Sequence, residues 1–251
     1  MDFIYVDGQV TTFQNANQLN CSRIRRAKEG EYLQSDYMPA SKYNIDEMYK
    51  ELLGFVAGVK NKYLHELLEY FFVKDAAFAK SFKDHSAAKS VHHGFVGGLL
   101  EHTLSVTKRC EFYTQRYPIL NHDLLITAAL CHDIGKTREL SLFPANDYTD
   151  EGQLVGHIVT GVEMIHDAIK TIPGFPAVLA NELKHGIVAH HGELEFGSPK
   201  KPALIEAMAL NMADNTDAKI QTLTEVFEKS DDNLDWLGFN RFVDSNIRKT
   251  S

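Results

Sequence analysis

The stretch LLITAALCHDIGKTREL, residues 124–140, sets a histidine and an aspartate against a run of apolar, helix-favouring residues, where the end of a buried helix belongs. The pattern recurs along the chain. His102 stands in LLEHTLSV, His157 in LVGHIVTG, His190 and His191 in IVAHHGE, and Asp214 in ALNMADNT. Each of these runs must turn an apolar stripe toward a core, and a polar group carried into that core without a partner costs several kcal/mol. One such group per helix, repeated over five helices, constrains the fold more than any other feature: the helices must bring these side chains to a common point. A lone histidine on a helix is ordinarily a surface residue or a satisfied core residue. Clustering among the twelve histidines of this chain points elsewhere. A bound cation is the simplest compensation, because it supplies the charge an interior carboxylate lacks.

The donor types suit that chemistry. A neutral imidazole offers one nitrogen, whereas the two oxygens of Asp133 can each meet a different cation. Seven donors, His102, His132, Asp133, His157, His190, His191 and Asp214, exceed what one tetrahedral ion takes and suit two ions about 3.5–4 Å apart that share a bridge. A mixed nitrogen and oxygen set without thiolate points to Mn, Fe, Co, Ni or Zn rather than to a structural zinc. Asp217 shares a face with Asp214 at i+3 and is the alternative carboxylate.

Around this pattern the expected fold class is mainly α, a helical bundle preceded by a short N-terminal β segment. Apolar residues recur at three and four spacing from about residue 45 onward, and Pro118, Gly135, Pro173, Gly192 and Pro199 punctuate the runs where helices should stop. Before them, FIYVDGQVTTF and QLNCSRIRRA, separated by the polar QNANQ, predict a short β-meander. The expected organisation is a β segment over 1–40, the helical domain over 41–230 and a C-terminal tail over 231–251, where weaker periodicity suggests a short docked helix and a frayed end. The net charge of −8 excludes a global positive field, so a nucleic-acid partner must be held by a local patch or by metal ions. Three cysteines without a CxxC pairing fit a reducing compartment. The opening MDFIYVDGQV has no signal-peptide core, and the apolar runs fall far short of the roughly 20 residues that span a bilayer. A cytoplasmic protein without a membrane partner is expected.

His102, the adjacent His132-Asp133 and the later Asp214 resemble the H…HD…D signature of the HD superfamily of metal-dependent phosphohydrolases. His157 and the His190-His191 pair resemble the extra ligands of its two-metal branches. More narrowly, HHGFVGGLLEHTLSV, HDIGKTREL, YTDEGQLVGHIVTGVEMI and HHGELEFGSPK are similar to the YhaM-type 3′→5′ exoribonucleases, over roughly residues 45 to 225. The resemblance implies an HD-domain bundle with two divalent ions, Mn²⁺ first and Fe, Co, Ni or Zn next. One ion is then held by His102, His132, Asp133 and Asp214, the second by Asp133, His157, His190 and His191. It implies a phosphodiesterase acting on single-stranded RNA or DNA through a shared hydroxide, with Asp133 and Lys136 in the catalytic machinery. The family carries an OB-type domain before the HD domain, and the first 40 residues resemble its last strands. A hydrolase of small nucleotides is the alternative, and so is a non-catalytic nucleotide- or nucleic-acid-binding protein, although every expected ligand type is present. The cyclic-dinucleotide branch is disfavoured because HHGELEFGSPK lacks a GYP motif. A homo-oligomer is compatible with all of these.

Other residues carry weaker signals. Lys136, just past Gly135, reads either as a solvated lysine after a glycine C-cap or as a holder of a phosphate oxygen, and the resemblance favours the second. His92 and His93 would lie about 13–15 Å from His102 along a continuous helix, too far to share its ions; Gly94, Gly97 and Gly98 around them suggest a substrate-facing role. His65, His85, His122 and His166 read as surface residues and His185 as a neighbour of the ligands. Glu193 either orients His191 or lies exposed in a loop, and Cys131 is a buried small side chain. In NCSRIRRAKEG, Arg23, Arg25, Arg26 and Lys28 outnumber Glu29 and give a local +3. They form either a charged strand edge that blocks aggregation or, through Arg23 and Arg25, a guide for an RNA backbone, with Tyr5 or Phe13 for base stacking.

Overall fold

A computed structural model describes residues 3–13, 16–32, 38–89, 93–228, 230, 235–241 and 243–250. The chain divides into two compact units, one ending at Pro39 and one beginning at Ala40.

Among its described residues the first unit is one antiparallel hairpin rather than a meander. Strand β1 (Ile4–Phe13) pairs with β2 (Ala16–Arg26) from Ile4 opposite Arg26 to Phe13 opposite Ala16. The register shifts at Asp7 and Gly8, where the Ser22 hydroxyl donates to the Asp7 carbonyl at 3.1 Å. Arg25 donates to both carboxylate oxygens of Glu31, at 2.6 and 2.9 Å, and its guanidinium lies over the Tyr5 ring. That pairing lowers the Glu31 pKa to about 2. Arg23, opposite Asp7, is exposed.

The second unit is helical. Its helices are α1 (Ile45–Gly58), α2 (Lys62–Glu69), α3 (Ala76–Asp84), α4 (Gly98–Arg116), α5 (His122–Cys131), α6 (Lys136–Glu139), α7 (Asp150–Leu154), α8 (His157–Lys170), α9 (Ala177–Ala189) and α10 (Ile205–Glu228). Side chains of Asn44, Asn61, Asp75, Asn121 and Thr149 accept from the free N–H groups at five of the helix starts, the preferred N-cap chemistry. Helix α5 organises the bundle. Every residue from Leu124 to Cys131 is buried, as a helix apolar on all sides must be, and it packs against α1, α2, α4, α9 and α10. Its C-terminus therefore delivers residues 132 and 133 to the middle of the helical unit. No described helix is long and apolar enough to cross a membrane.

The C-terminal segment is not the docked helix expected of it. Strand β3 (Trp236–Asn240) pairs antiparallel with β4 (Ser245–Arg248), with an irregular register at Gly238. Trp236 and Phe239 in WLGFN favour a strand, and Gly238 accepts the φ of +89° that the irregularity requires.

Candidate metal centre

Two glycines explain how the ligand-bearing helix ends approach one another. Beyond Cys131 the chain turns through His132, Asp133, Ile134 and Gly135 before α6 begins. A Cβ on Gly135 would sit 2.1 Å from the carbonyl oxygen of His157. Only hydrogen at that position lets the start of α8 rest on this turn, and His157 is the first residue of α8. Gly192, at φ +81°, ends the α9 segment just after His190 and His191. A Cβ there would strike the Asn211 side chain, which donates to the His190 carbonyl at 2.8 Å and ties this end to α10.

Each of the five histidines on these elements is held by Nδ1. His132 bonds the Ala129 carbonyl at 2.7 Å, His190 that of Ile187 at 2.7 Å and His191 that of Phe196 at 2.8 Å. His102 bonds Asp217 Oδ2 at 2.7 Å, and His157 bonds Glu139 Oε1 at 2.9 Å. Carbonyl and carboxylate oxygens only accept, so each Nδ1 is the donor and each Nε2 is left to face the interior. The Nε2 of His102 lies 3.1 Å from Asp214 Oδ1, 3.4 Å from Asp133 Oδ2 and 3.2 Å from the Nε2 of His132. On the other side of Asp133, Oδ1 stands 3.5 Å from His157 Nε2 and 3.7 Å from His190 Nε2. The His191 ring is 4.2 Å from that of His190 and 5.2 Å from that of His157. Ligand atoms of His157, His190 and His191 lie within 4.8 Å of one another, and so do those of His102, His132 and Asp214. The two groups share Asp133, one oxygen toward each.

Asp133 Oδ1, His157 Nε2 and His190 Nε2 are buried and have no hydrogen-bond partner among the described residues. Lone pairs aimed at lone pairs in a dry interior repel, and a divalent cation turns that repulsion into coordination. The residues present therefore fit a pair of metal ions.

The electrostatics divide the same way. Burial works against a proton on His102, yet Asp133, Asp214 and Asp217 outweigh it and raise its pKa well above the usual value. His190 is lowered well below it, by burial first and then by the rings of His191 and His132. His191 is lowered by burial and by His157. The Asp133 carboxyl is pushed up by burial but ends well below its ordinary range because of Lys136 and His132. The group around His102 is thus rich in carboxylate, and the group around His157 is rich in imidazole.

Lys136 is not solvated: its ammonium lies 2.8 Å from Asp133 Oδ2 with the side chain 13% exposed, and Asp133 raises its pKa against burial. His93 is not a helix length from His102. Helix α4 starts only at Gly98, where a Cβ would collide with the His93 carbonyl, so the chain folds back and the two rings lie 5.4 Å apart. His93 is buried and bonds Asp217 at 3.0 Å. His92 lies outside the described residues. His85 is buried rather than on the surface, bonded by its ring nitrogens to the carbonyls of Ser81 and Leu140. His185 accepts from the Ala203 amide. Glu193 is exposed and pairs with Lys201, leaving the Phe196 carbonyl to orient His191. His166 is exposed, while His65 and His122 are half-buried. Cys131 is fully buried, and burial pushes its thiol pKa up.

Two further carboxylates stand beside the ligands. Asp217, which the i+3 spacing from Asp214 had marked, reaches the Nδ1 edge of His102, with Ser105 and Arg109 on its other oxygen at 2.6 and 2.9 Å. Glu139 carried no comparable signal, since its partner His157 stands 18 residues later.

The HD domain family matches residues 99–219. The 3′-5′ exoribonuclease YhaM of Geobacillus sp. is 32% identical over 227 residues, covering 90% of this chain and 69% of that protein. The YhaM proteins of Bacillus velezensis and Listeria innocua are 34% and 32% identical, each over 90% of this chain and 71% of their own length. These matches are longer than the span over which the motifs are similar. No solved structure matches the chain. An HD-domain match over the ligand-bearing helices, together with a third of all residues shared along nine-tenths of the chain, shows that this protein belongs to the YhaM-type 3′-5′ exoribonuclease family.

Proposed function

We propose that this chain is a metal-dependent 3′→5′ exoribonuclease that hydrolyses single-stranded RNA at two divalent ions, Mn²⁺ first among the candidates. The observation that carries the reading is the convergence of the Nε2 atoms of His102, His132, His157 and His190 on the two oxygens of Asp133, with Asp214 and His191 beside them and three of the buried donor atoms lacking hydrogen-bond partners among the described residues. Ions held there supply Lewis-acid polarisation of a phosphodiester and lower the pKa of water toward neutrality.

The chain's own residues do the rest. Asp133 joins the two ligand groups through one carboxylate. His102, His132 and Asp214 complete one position, and His157, His190 and His191 the other. Lys136 extends an ammonium from the turn after Asp133 and serves as a point charge for a non-bridging phosphate oxygen. Burial of His132, His190 and Asp133 keeps competing water from the ligand atoms. The YhaM relatives support RNA as the substrate. Three cysteines, all of them free thiols, support the cytoplasmic compartment expected from the sequence.

A short 5′-labelled RNA, a mononucleotide and a chromogenic diester, each incubated with Mn²⁺ and with chelator, test the reading. RNA shortened stepwise from its 3′ end only with metal is expected. Activity confined to the mononucleotide would replace the reading with a small-nucleotide hydrolase, and chelator-resistant cleavage would overturn it. Asp133→Asn retains the shape but loses the bridging charge, so bound metal should fall well below two ions per chain and the rate by several orders of magnitude. A full complement of metal in that variant would refute the bridge.

A further inference from the structure

We propose that Asp217 and Glu139 are positioning residues, each of which fixes one histidine at one end of the ligand row and so governs the filling of one ion position. The inference rests on the two-ion reading above and adds residues outside its ligand set.

The five histidines are held in two different ways. His132 and His190 bond a carbonyl three residues back in their own helices, and His191 bonds one five residues ahead. Those acceptors come with the local backbone. His157 is the first residue of α8 and has no helical carbonyl behind it, while His102 sits inside α4, where the carbonyls already accept helical N–H groups. For these two the acceptor is a carboxylate from elsewhere, 115 residues away for His102 and 18 for His157.

Each carboxylate is itself fixed. Asp217 takes His102 Nδ1 and His93 Nε2 on one oxygen, and the Ser105 hydroxyl and Arg109 guanidinium on the other. It lies at the Nδ1 edge of the His102 ring, whereas Asp214 lies at the Nε2 edge. Glu139 Oε1 takes both the backbone N–H of His157, at 3.0 Å, and its Nδ1. It thereby caps α8, whose N-cap Gly156 offers no side chain, and turns the ring of its first residue. A carboxylate behind a ligating imidazole fixes its tautomer and raises its basicity, and losing one typically lowers metal affinity about 10–100-fold. Each ion position contains one such histidine, so the two carboxylates act on different ions.

The test is a Mn²⁺ titration of the full chain, followed by the signal of free Mn²⁺ in electron paramagnetic resonance. The wild type should bind two ions. Asp217→Asn should weaken one binding step about 10–100-fold and leave the other unchanged, matching Asp214→Asn in which step is affected. Glu139→Gln should weaken the opposite step, matching His191→Ala. Long-range ¹H–¹⁵N spectra of the metal-free protein should show the ring-nitrogen shifts of one histidine changed in each variant, His102 in Asp217→Asn and His157 in Glu139→Gln. A general loosening of the fold would weaken both steps alike and would overturn the proposal. If Asp217→Asn misfolds because the half-buried Arg109 loses its carboxylate partner, Asp217→Asn with Arg109→Gln removes that charge and is expected to show the same single-step loss. A wild type that binds fewer than two ions would overturn the two-ion reading itself. Two ions bound in the wild type, with both steps unchanged in both variants, would overturn this proposal alone.

Discussion

Replacing Gly135 by alanine tests whether the packing of a turn places a metal ligand. The φ and ψ of Gly135, −63° and −20°, are those of an ordinary helical residue, so alanine carries no backbone penalty and restricts the unfolded chain, a gain of about 0.4–1 kcal/mol. Sterics decide against it. The new Cβ would lie 2.1 Å from the His157 carbonyl oxygen and 2.8 Å from the Gly161 nitrogen, both backbone atoms, where ordinary contact begins near 3.4 Å. Helix α8 must therefore retreat by about 1.3 Å, an overpacking that costs about 1–3 kcal/mol. The net loss, about 0–2.5 kcal/mol, leaves the protein folded. His157 starts that helix and moves with it, while metal–ligand distances tolerate only about 0.2 Å. A misplacement of about 1 Å near reacting groups costs on the order of 100-fold in rate. The assay compares metal content, RNA hydrolysis and thermal unfolding. A folded protein is expected that loses mainly the ion held with His157, and with it about two orders of magnitude in rate. Gly161→Ala is the control across the same contact: its Cβ would meet Gly135 only at 3.6 Å and Ile187 at 3.7 Å, so metal and rate should be retained. Full metal content and wild-type rate in Gly135→Ala would refute the reasoning.

Acidification and the N-terminal hairpin offer two more tests. The folded pKa values of His190 and His191 are lowered, so the stability they contribute is present above about 6.5 and fades as pH falls and the unfolded chain takes up protons. His102 acts in the opposite sense: its raised folded pKa gives a contribution fully present below about 6.5 and lost as pH rises through the folded value. His185 is lowered by burial as well, and His122, against burial, is raised by Asp123 and Glu111. With three lowered groups against two raised, the Tm of the metal-free chain should fall between about pH 7.5 and about pH 5.5, and a rise over that window would contradict the assignment. In the hairpin, Arg23→Gln should lower the log–log salt slope of RNA binding by roughly one if Arg23 meets a phosphate. Arg25→Gln should instead loosen the hairpin, because Arg25 is committed to Glu31; equal slopes for both variants in anisotropy titrations would remove the distinction.

Much of the bundle was legible because its signals are local. The all-apolar run from Leu124 to Cys131 announces a helix buried on every side, and a donor inside an otherwise apolar run is visible without knowing what it will touch. The errors fall where a neighbour distant in sequence decides. His85 lacks an apolar frame and reads as surface, yet Leu140, 55 residues on, reaches one of its ring nitrogens. A helix extended backward past Gly98 places His93 too far from His102, whereas α4 starts at Gly98. The glycines there showed that a backbone approaches closely, and the approaching atom proved to be the carbonyl of His93 itself.

Asp214 and Asp217 show where periodicity stops informing. Three residues apart, they are about 60° apart around the α10 axis, so any argument from helical spacing places both on one face. In the folded chain that face meets His102 edge-on, and one turn of rise separates a carboxylate at Nε2 from a carboxylate at Nδ1. One edge looks toward Asp133 and the other toward Ser105 and Arg109. The two acids thus differ in what lies beyond the ring between them, and that is fixed by how α4 crosses α10. A sequence can state that a buried imidazole needs two partners; the crossing of two helices decides which partner remains free to share with a cation.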